Sequence, residues 1–156
     1  MTEAITVGAK APEFNLPSSN GKDISLKSCR GKAVILYFYP KDDTPGCTKE
    51  AIAFSELSKK FVNQNALVLG VSKDDMASHT KFIAKHSLKV DLLSDSDGVT
   101  CESYGVWVEK NMYGRKYMGI ERSTFLIDEK GRLKEVWRKV KVAGHAEKVL
   151  EALAAI

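Results

Sequence analysis

Apolar and polar residues along the chain follow two periods, which together predict strands alternating with helices. Residues 33–39 and 66–71 are almost continuously apolar, as in strands that are buried on both faces of a parallel sheet. Between them, apolar side chains recur at helical spacing from Cys47 to Phe61. A strand, a helix and a second strand in this order predict a βαβ unit.

Shorter patterns flank this unit on both sides. Residues 11–17 and 23–26 alternate around a turn and predict an N-terminal β-hairpin. The further predicted elements are a helix at 76–86, a strand at 90–93, a short helix at 100–104, hairpin-like segments within 106–120, hairpin strands at 123–127 and 133–137, and a closing helix at 144–154. This order resembles that of a thioredoxin-like fold, an α/β architecture with a mixed central sheet flanked by helices, formed here by a single domain over residues 1–156.

Composition narrows the function classes. The chain has 156 residues, of which 44% are hydrophobic and 28% charged, as expected for one globular domain with its own core. The net charge of +4 comes from scattered lysines, which favours a solvated surface over a nucleic-acid-binding face. The N-terminus lacks a secretory leader pattern, and no apolar run approaches the about 20 residues of a membrane span. Three cysteines, an odd number, fit free thiols in a reducing compartment, so we expect a cytoplasmic protein. From the charge pattern and the missing membrane span, we expect that it binds neither nucleic acid nor membrane.

The candidate chemistry lies where the first buried strand gives way to the first long helix. Thr44 is a suitable N-cap and Pro45 a suitable first helical residue, which places Cys47 in the first turn. Unpaired backbone N–H groups and the positive end of the helix dipole favour a thiolate there over a thiol. Alternatively, Cys47 is a small buried apolar residue of a binding or chaperone module without chemistry.

The residue types around Cys47 restrict its redox chemistry. Thioredoxin-like oxidoreductases carry Cys-x-x-Cys at this junction, whereas here the four residues are Thr-Pro-Gly-Cys, from Thr44 to Cys47. No disulfide can form across this turn, because a hydroxyl replaces the first thiol. The sequence therefore favours single-thiolate chemistry over dithiol exchange.

Three segments resemble the peroxiredoxins, in order along nearly the whole chain. Residues 37–51 contain the pattern Pro-x-x-x-Thr-x-x-Cys, formed by Pro40, Thr44 and Cys47, and are similar in particular to the bacterioferritin comigratory protein (PrxQ-like) branch. The opening at residues 8–14 and the arginine-bearing strand at 121–128 also resemble the family.

The resemblance implies a thiol-dependent peroxidase that reduces hydrogen peroxide and organic hydroperoxides. Cys47 would be the peroxidatic nucleophile, Thr44 would hydrogen-bond the peroxide, Arg122 would hold the thiolate and orient the peroxide, and Pro40 would shield the sulfur from water. The implied partners are the peroxide and a thiol reductant such as thioredoxin or glutaredoxin. No cofactor or metal is expected, and members of this branch are often monomeric.

The thiol that resolves the oxidised cysteine stays open. In subgroups of this branch a second cysteine stands five residues after the first, or in the next helix. Those positions are Ile52 and about Ile83 here. We therefore expect a one-cysteine mechanism, with an external thiol as reductant. A disulfide from Cys47 to Cys101 after local unfolding is the alternative, and Cys29 is the remaining thiol.

Other polar residues have alternative interpretations. Glu50 fits a capping-box acid or a partner for Arg122, and Arg122 alone fits a surface ion pair with Glu121. The three histidines, His79, His86 and His145, lie on predicted helices without a cysteine or carboxylate cluster at ligand spacing, so we expect no metal site.

Overall fold

A computed structural model describes residues 5–156, and the first four residues of the predicted domain lie outside the described part. The elements are β1 (Asn15–Pro17), β2 (Asp23–Ser25), β3 (Ala33–Phe38), α1 (Pro45–Glu56), α2 (Ser58–Asn63), β4 (Ala66–Ser72), α3 (Met76–His86), β5 (Asp91–Ser94), α4 (Val99–Ser103), β6 (Trp107–Met112), β7 (Arg115–Ile120), β8 (Ser123–Ile127), β9 (Leu133–Trp137) and α5 (His145–Ala154). The predicted order of strands and helices is confirmed, except that one predicted helix is divided in two, and the bounds shift by a few residues.

The central sheet has five strands in the order β5-β4-β3-β8-β9. Strand β3 pairs in parallel with β4, and β4 with β5, so the predicted βαβ unit is confirmed. The other side of β3 pairs antiparallel with β8, which continues into β9. All six residues of β3 are buried, because the strand is central and both of its faces are covered. The sheet is therefore mixed, as predicted for an α/β fold.

Two apolar layers cover the two faces of this sheet. Alternate residues of β3 point to opposite faces. On one face, Ile35 packs in a cluster with side chains of α1, α2, α3 and α5, and Cys47 belongs to this layer. On the other face, Leu36 packs in a cluster with residues of β1, α4 and β7, and that layer contains Cys29 and Cys101. The sheet therefore separates Cys47 from the other two cysteines.

The predicted helix from Cys47 to Phe61 is two helices. Leu57 lies between α1 and α2, and its N–H bonds back to Phe54 O at 3.2 Å, three residues earlier, instead of continuing the α-helical ladder. The turn keeps both Phe54 and Phe61 in the core, with ring centroids 6.0 Å apart. Both rings pack in the core, so the apolar residues keep their helical spacing although the helix is interrupted at Leu57.

The helices are short. The longest in the described chain, α1, has 12 residues, whereas a membrane-spanning helix needs about 20. Accordingly, residues 5–156 contain no helix long and apolar enough to cross a membrane.

Candidate active site

The site lies beyond the carboxyl end of β3, where ligands bind in open α/β sheets. After β3 the chain passes through a loop, residues 39–44, and enters α1 with Pro45 as its first residue. Cys47 lies in the first turn of α1, and only 2% of its surface is exposed. The first backbone N–H groups of α1 have no partners within the helix, so the helix start at which Cys47 lies carries partial positive charge.

Arg122 is the side chain that reaches the sulfur. It lies in the two-residue connection between β7 and β8, just before the strand on which it was predicted. Its guanidinium Nη2 donates to Cys47 Sγ at 3.4 Å. Its carbonyl accepts from the N–H of Val140 at 3.0 Å, which fixes the backbone of the connection. A cation and a helix N-terminus thus meet at one sulfur, and both stabilise a thiolate.

Glu50 holds Arg122 from the other side. It lies one turn after Cys47 on α1, and its Oε1 accepts from Arg122 Nη1 at 2.7 Å. The interpretation of Glu50 as a partner for Arg122 is confirmed, whereas Glu121 forms no ion pair with Arg122 among the described contacts. The two nitrogens of one guanidinium fork therefore divide between a carboxylate and the sulfur, which a single ammonium group cannot reproduce.

Burial and pairing act in opposite directions on the pKa values of Glu50 and Arg122. Glu50 is 1% exposed, and burial raises its pKa to about 7, although Arg122 acts to lower it. Its Oε2 is buried and has no hydrogen-bond partner among the described residues. For Arg122, burial opposes the charged form, but Glu50 and Cys47 together raise its pKa. The two pKa shifts have different causes: pairing with Glu50 and Cys47 keeps the guanidinium charged, while burial makes the Glu50 carboxylate costly to ionise.

Gly46 leaves room for the guanidinium. A Cβ at this position would lie 3.0 Å from Arg122 Nη2, closer than nearly all contacts of real Cβ atoms. The backbone of Gly46 is helical, so glycine is not needed there for its conformation. The missing side chain allows Arg122 to lie against the first turn of α1 and reach Cys47.

Thr44 occupies the predicted N-cap position, with an extended backbone before α1. Its hydroxyl does not cap the helix, however, and instead donates to Lys41 O at 2.8 Å. The carbonyl of Thr44 accepts from the N–H of Thr48 at 2.9 Å. The hydroxyl oxygen therefore keeps lone pairs that can accept a hydrogen bond from a ligand.

Pro40 lies on the wall of a cleft of about 280 Å³ at the same end of the sheet. Trp107, Lys110 and Tyr117 of the β6–β7 hairpin line the opposite wall. Burial and the nearby Arg122 lower the pKa of Lys110, while Cys47 acts to raise it, so Lys110 is the lining residue whose charge is coupled to the sulfur. A larger cavity of about 550 Å³, between Ala33 and Ile156, lies at the opposite end of the sheet, away from this chemistry.

The other cysteines are not brought to the site. Cys101 is fully buried in the layer on the far face of the sheet, where its N–H donates to Asp95 Oδ2 at 2.7 Å. Burial, reinforced by Asp95, raises the pKa of the Cys101 thiol. Cys29 donates weakly to Ser25 O at 3.4 Å, and burial raises its pKa as well.

The histidines occupy separate environments. His86 contacts the exposed Asp43 at 2.9 Å, and His145 contacts Thr124 Oγ1 at 2.8 Å, where burial lowers the pKa of its ring to about 4. His79 is fully buried beside Asp42, at 2.7 Å. Over the described part of the chain, no group of three or more His, Cys, Asp or Glu side chains could hold a metal ion.

The sequence did not point to the contact between Asp42 and His79. Asp42 belongs to the loop before Cys47, and His79 to the apolar stripe of α3 together with Phe82. A histidine at a core position of an amphipathic helix needs a buried polar partner, so the position of His79 in the sequence indicates that a partner exists. The sequence offered several carboxylates as that partner, so the pairing depended on the fold.

Comparisons with known proteins agree with this fold and define the family. Residues 7–136 match the AhpC/TSA family. A putative peroxiredoxin Bcp from Coxiella burnetii is 53% identical over 150 residues, covering 96% of this chain and 99% of that protein. Peroxiredoxin Bcp of Bacillus subtilis is 46% identical, covering 96% and 95% of the two chains.

Two solved structures are also similar. The bacterioferritin comigratory protein of Xanthomonas campestris superposes with a TM-score of 0.87 at 46% identity, covering 91% of this chain and 90% of that one. A cysteine-to-serine variant of Xylella fastidiosa PrxQ gives a TM-score of 0.92 at 42% identity, covering 98% of each chain. The predicted thioredoxin-like architecture is confirmed by these neighbours.

These similarities show that the chain belongs to the peroxiredoxins, and within them to the bacterioferritin comigratory protein (PrxQ-like) subfamily. Peroxiredoxins are thiol-dependent peroxidases, so the protein is an enzyme that reduces peroxides at the expense of thiols.

Proposed function

We propose that Cys47 is the peroxide-reacting thiol and that an external thiol reduces it again. The observation that carries this proposal is the 3.4 Å contact between Arg122 Nη2 and Cys47 Sγ in the first turn of a helix. A guanidinium N–H donor and the positive end of a helix dipole both favour the thiolate form of a cysteine, and the thiolate is the nucleophile.

The reaction proceeds in two balanced stages. The Cys47 thiolate attacks one oxygen of the peroxide in line with the O–O bond, which breaks as the new S–O bond forms. The other oxygen leaves as hydroxide or alkoxide and takes up a proton, giving water or an alcohol. Two equivalents of thiol then reduce the sulfenic acid: the first displaces water and forms a mixed disulfide, and the second releases Cys47 and an external disulfide.

The neighbouring residues act on the charge that moves during attack. Arg122 can orient the peroxide with the same fork that holds the sulfur, and N–H groups at the start of α1 can add donors for the departing oxygen. The Thr44 hydroxyl donates to Lys41 O, so its oxygen can accept the O–H of the incoming peroxide. Pro40 on the cleft wall limits access of water to the sulfur.

Burial and layer separation favour reduction by an external thiol. Cys29 and Cys101 pack on the far face of the sheet from Cys47, whereas a disulfide needs Cα atoms within about 7 Å. The raised pKa of the Cys101 thiol also disfavours the thiolate that would have to attack. A disulfide from Cys47 to Cys101 would require the layers on both faces to open.

The peroxiredoxin class and the cleft beside Pro40 indicate which substrates and reductants the enzyme uses. A study of the Xanthomonas campestris relative concerns its alkyl peroxide reduction activity. The cleft beside Pro40 combines an open mouth with Trp107 and Tyr117, so we infer that it admits organic hydroperoxides as well as hydrogen peroxide. A thioredoxin or glutaredoxin fits as the reductant, and we expect the enzyme to act as a monomer.

Peroxide consumption in the presence of dithiothreitol tests the assignment of Cys47. The wild type should consume hydrogen peroxide catalytically, and Cys47→Ser should be inactive, because serine cannot form the sulfenic acid. Cys101→Ser is the matched control and should retain activity. Turnover by Cys47→Ser at the wild-type rate would refute the assignment.

Mass spectrometry after one equivalent of peroxide tests the resolution step. Without added thiol, we expect the wild type to accumulate oxidised Cys47 and no intramolecular disulfide. A disulfide that is present in the wild type and lost in Cys101→Ser would establish the alternative mechanism.

A further inference from the structure

A buried polar cluster lies under the loop that precedes Cys47. Asp42 in this loop is 7% exposed, and His79 on α3 is fully buried. Neither residue touches Cys47 or Arg122 among the described hydrogen bonds. Two charged residue types in a core are costly unless they are paired, so their function needs an explanation.

Three donors converge on the Asp42 carboxylate. The Tyr39 hydroxyl donates to Oδ1 at 2.5 Å, and the Ser78 hydroxyl donates to Oδ2 at 2.8 Å. His79 Nδ1 lies 2.7 Å from the same Oδ2. A carboxylate that receives hydroxyl donors on both oxygens is suited to the ionised form.

The surroundings of His79 assign its protons. Nε2 lies 3.0 Å from Leu93 O, and a carbonyl oxygen only accepts, so Nε2 carries a proton. Nδ1 faces the Asp42 carboxylate, which also only accepts when ionised. With Asp42 ionised, both ring nitrogens of His79 donate, and the two residues then form a buried ion pair without net charge.

The pair ties the loop to three neighbouring elements. His79 connects it to α3, and through Leu93 O to β5. The backbone N–H of Asp42 donates to Asp74 Oδ2 at 2.8 Å, and Asp74 in turn accepts from Ser72 at the end of β4. The residues held in this way stand between Pro40 and Thr44.

We propose that Asp42 and His79 are positioning residues of the peroxidatic centre. Their buried ion pair fixes the loop of residues 40–44 against α3 and β5, and thereby sets the place of Pro40 and Thr44 relative to Cys47. This inference rests on the proposed role of Cys47 as the peroxide-reacting thiol. Displacements of about 1 Å in a positioning element can cost a hundredfold in rate, so the pair influences catalysis without contacting the substrate.

The pair also has an electrostatic role. Among the described residues, the other ionisable groups near it are Tyr37 of β3, Tyr39 just after that strand, and Asp74 from the segment after β4. Without the imidazolium, two carboxylates would remain near the start of α1 with no compensating charge inside the cluster. Like charges disfavour the thiolate, so alkylation of Cys47 would then require a higher pH.

A double-mutant cycle tests the positioning role. We expect His79→Gln to lower the second-order rate constant for hydrogen peroxide by about tenfold to a hundredfold. It should also shift the pH profile of Cys47 alkylation upward. Asp42→Asn should lower this rate constant less than His79→Gln does, because an amide can donate to a neutral His79 and still accept from Tyr39. Combining the two substitutions should recover part of the His79→Gln loss, because the unpaired carboxylate is gone.

Glu13→Gln is the control, since Glu13 is also an ion-paired carboxylate but contacts Arg30 at the exposed surface, outside the loop of residues 40–44. It should react at the wild-type rate. A His79→Gln enzyme with the wild-type rate and alkylation profile, or a double variant whose loss is the product of the single losses, would overturn the proposal.

The wild-type enzyme supplies a test that needs no variant to fold. Nitrogen-15 NMR of the His79 ring at neutral pH should show protons on both nitrogens, and a neutral ring would overturn the ion pair. Failure of the proposed function is recognised separately: it appears as activity in Cys47→Ser, whereas the NMR signal of His79 does not depend on that result.

Discussion

At the scale of single residues, Arg122 connects the sulfur of Cys47 to the carboxylate of Glu50. One nitrogen of its guanidinium contacts Cys47 at 3.4 Å and the other contacts Glu50 at 2.7 Å. The carboxylate fixes the plane of the fork, so the second nitrogen is aimed at the sulfur before any peroxide binds. This arrangement depends on the geometry of arginine and not only on its charge.

Replacing Arg122 with lysine should therefore impair the chemistry while keeping the charge. We expect Arg122→Lys to lower the rate constant for peroxide by about a hundredfold, the typical effect of losing one aligned donor. Stopped-flow kinetics of Cys47 oxidation provide the measurement. Arg30→Lys, which alters an exposed arginine that lies 3.7 Å from Glu13, is the control and should leave the rate unchanged. Equal rates for both variants would contradict the assigned role of the fork.

Glu50 should make the stability of the protein depend on pH. Its pKa rises from 4.5 in the unfolded reference to about 7 in the folded protein, because the carboxyl group is buried. Between these values the folded state holds a proton that the unfolded state has released, so stability decreases as pH rises from about 4.5 to about 7. The total effect is at most about 3 kcal/mol.

Urea unfolding of the wild type and Glu50→Gln across this pH range measures the effect. The glutamine variant should lose the part of the pH dependence that Glu50 contributes, since the amide does not ionise. Glu56→Gln, an exposed position on the same helix, should behave like the wild type. Identical pH dependence in the wild type and Glu50→Gln would show that the carboxyl group is not perturbed by burial.

At the scale of elements, the first turn of α1 determines the geometry of the site, whereas the length of the helix does not. The junction brings the end of a buried strand, an N-cap residue and a cysteine into one turn, and Gly46 leaves space there for Arg122. The break at Leu57 does not disturb this turn, since it lies at the far end of the helix.

Gly46→Ala separates helix stability from site geometry. Alanine favours a helix over glycine by about 1 kcal/mol, yet its Cβ would lie 3.0 Å from Arg122 Nη2. We expect a folded enzyme whose peroxide reactivity is about tenfold lower, because the guanidinium must move away from the sulfur. Circular dichroism checks the fold and stopped-flow kinetics check the rate, with Lys49→Ala as the exposed control on α1. Unchanged reactivity in Gly46→Ala would show that this close approach is unimportant.

The elements were largely predictable because they depend on local patterns. The apolar run of β3 and the spacing on α3 and α5 gave the strands and helices, and Thr44 with Pro45 gave the start of α1. Contacts between distant segments were harder to predict. Sequence offered Glu121 and Glu50 as partners for Arg122, and the choice depends on where the β7–β8 connection folds. The pairing of Asp42 with His79 has the same origin.

At the scale of the whole molecule, the central sheet decides which thiols can meet. Cys47 belongs to the helical layer, and Cys29 and Cys101 belong to the layer on the opposite face. Motif spacing left the partner of Cys47 open, because spacing along the chain does not reveal the face of a sheet. The two layers are the physical reason for proposing that an external thiol, and not Cys29 or Cys101, reduces oxidised Cys47.

Removing the two far cysteines should leave catalysis intact. We expect Cys29→Ala/Cys101→Ala to turn over hydrogen peroxide with dithiothreitol at the wild-type rate. Its stability should fall modestly, by about 1–2 kcal/mol, because Cys101 fills a fully buried position. Steady-state assays and urea unfolding measure the two effects. A folded double variant with no turnover would indicate that one of these thiols takes part in the cycle.

The central claim is that Cys47, held by Arg122 at the start of α1, is the sulfur that breaks the O–O bond. Treating the wild type with one equivalent of hydrogen peroxide in the presence of a sulfenic-acid trap, followed by peptide mass spectrometry, tests it most directly. The account predicts the trapped adduct on Cys47 and on neither Cys29 nor Cys101. Peroxide consumption with an unmodified Cys47, or with the adduct on another cysteine, would contradict it.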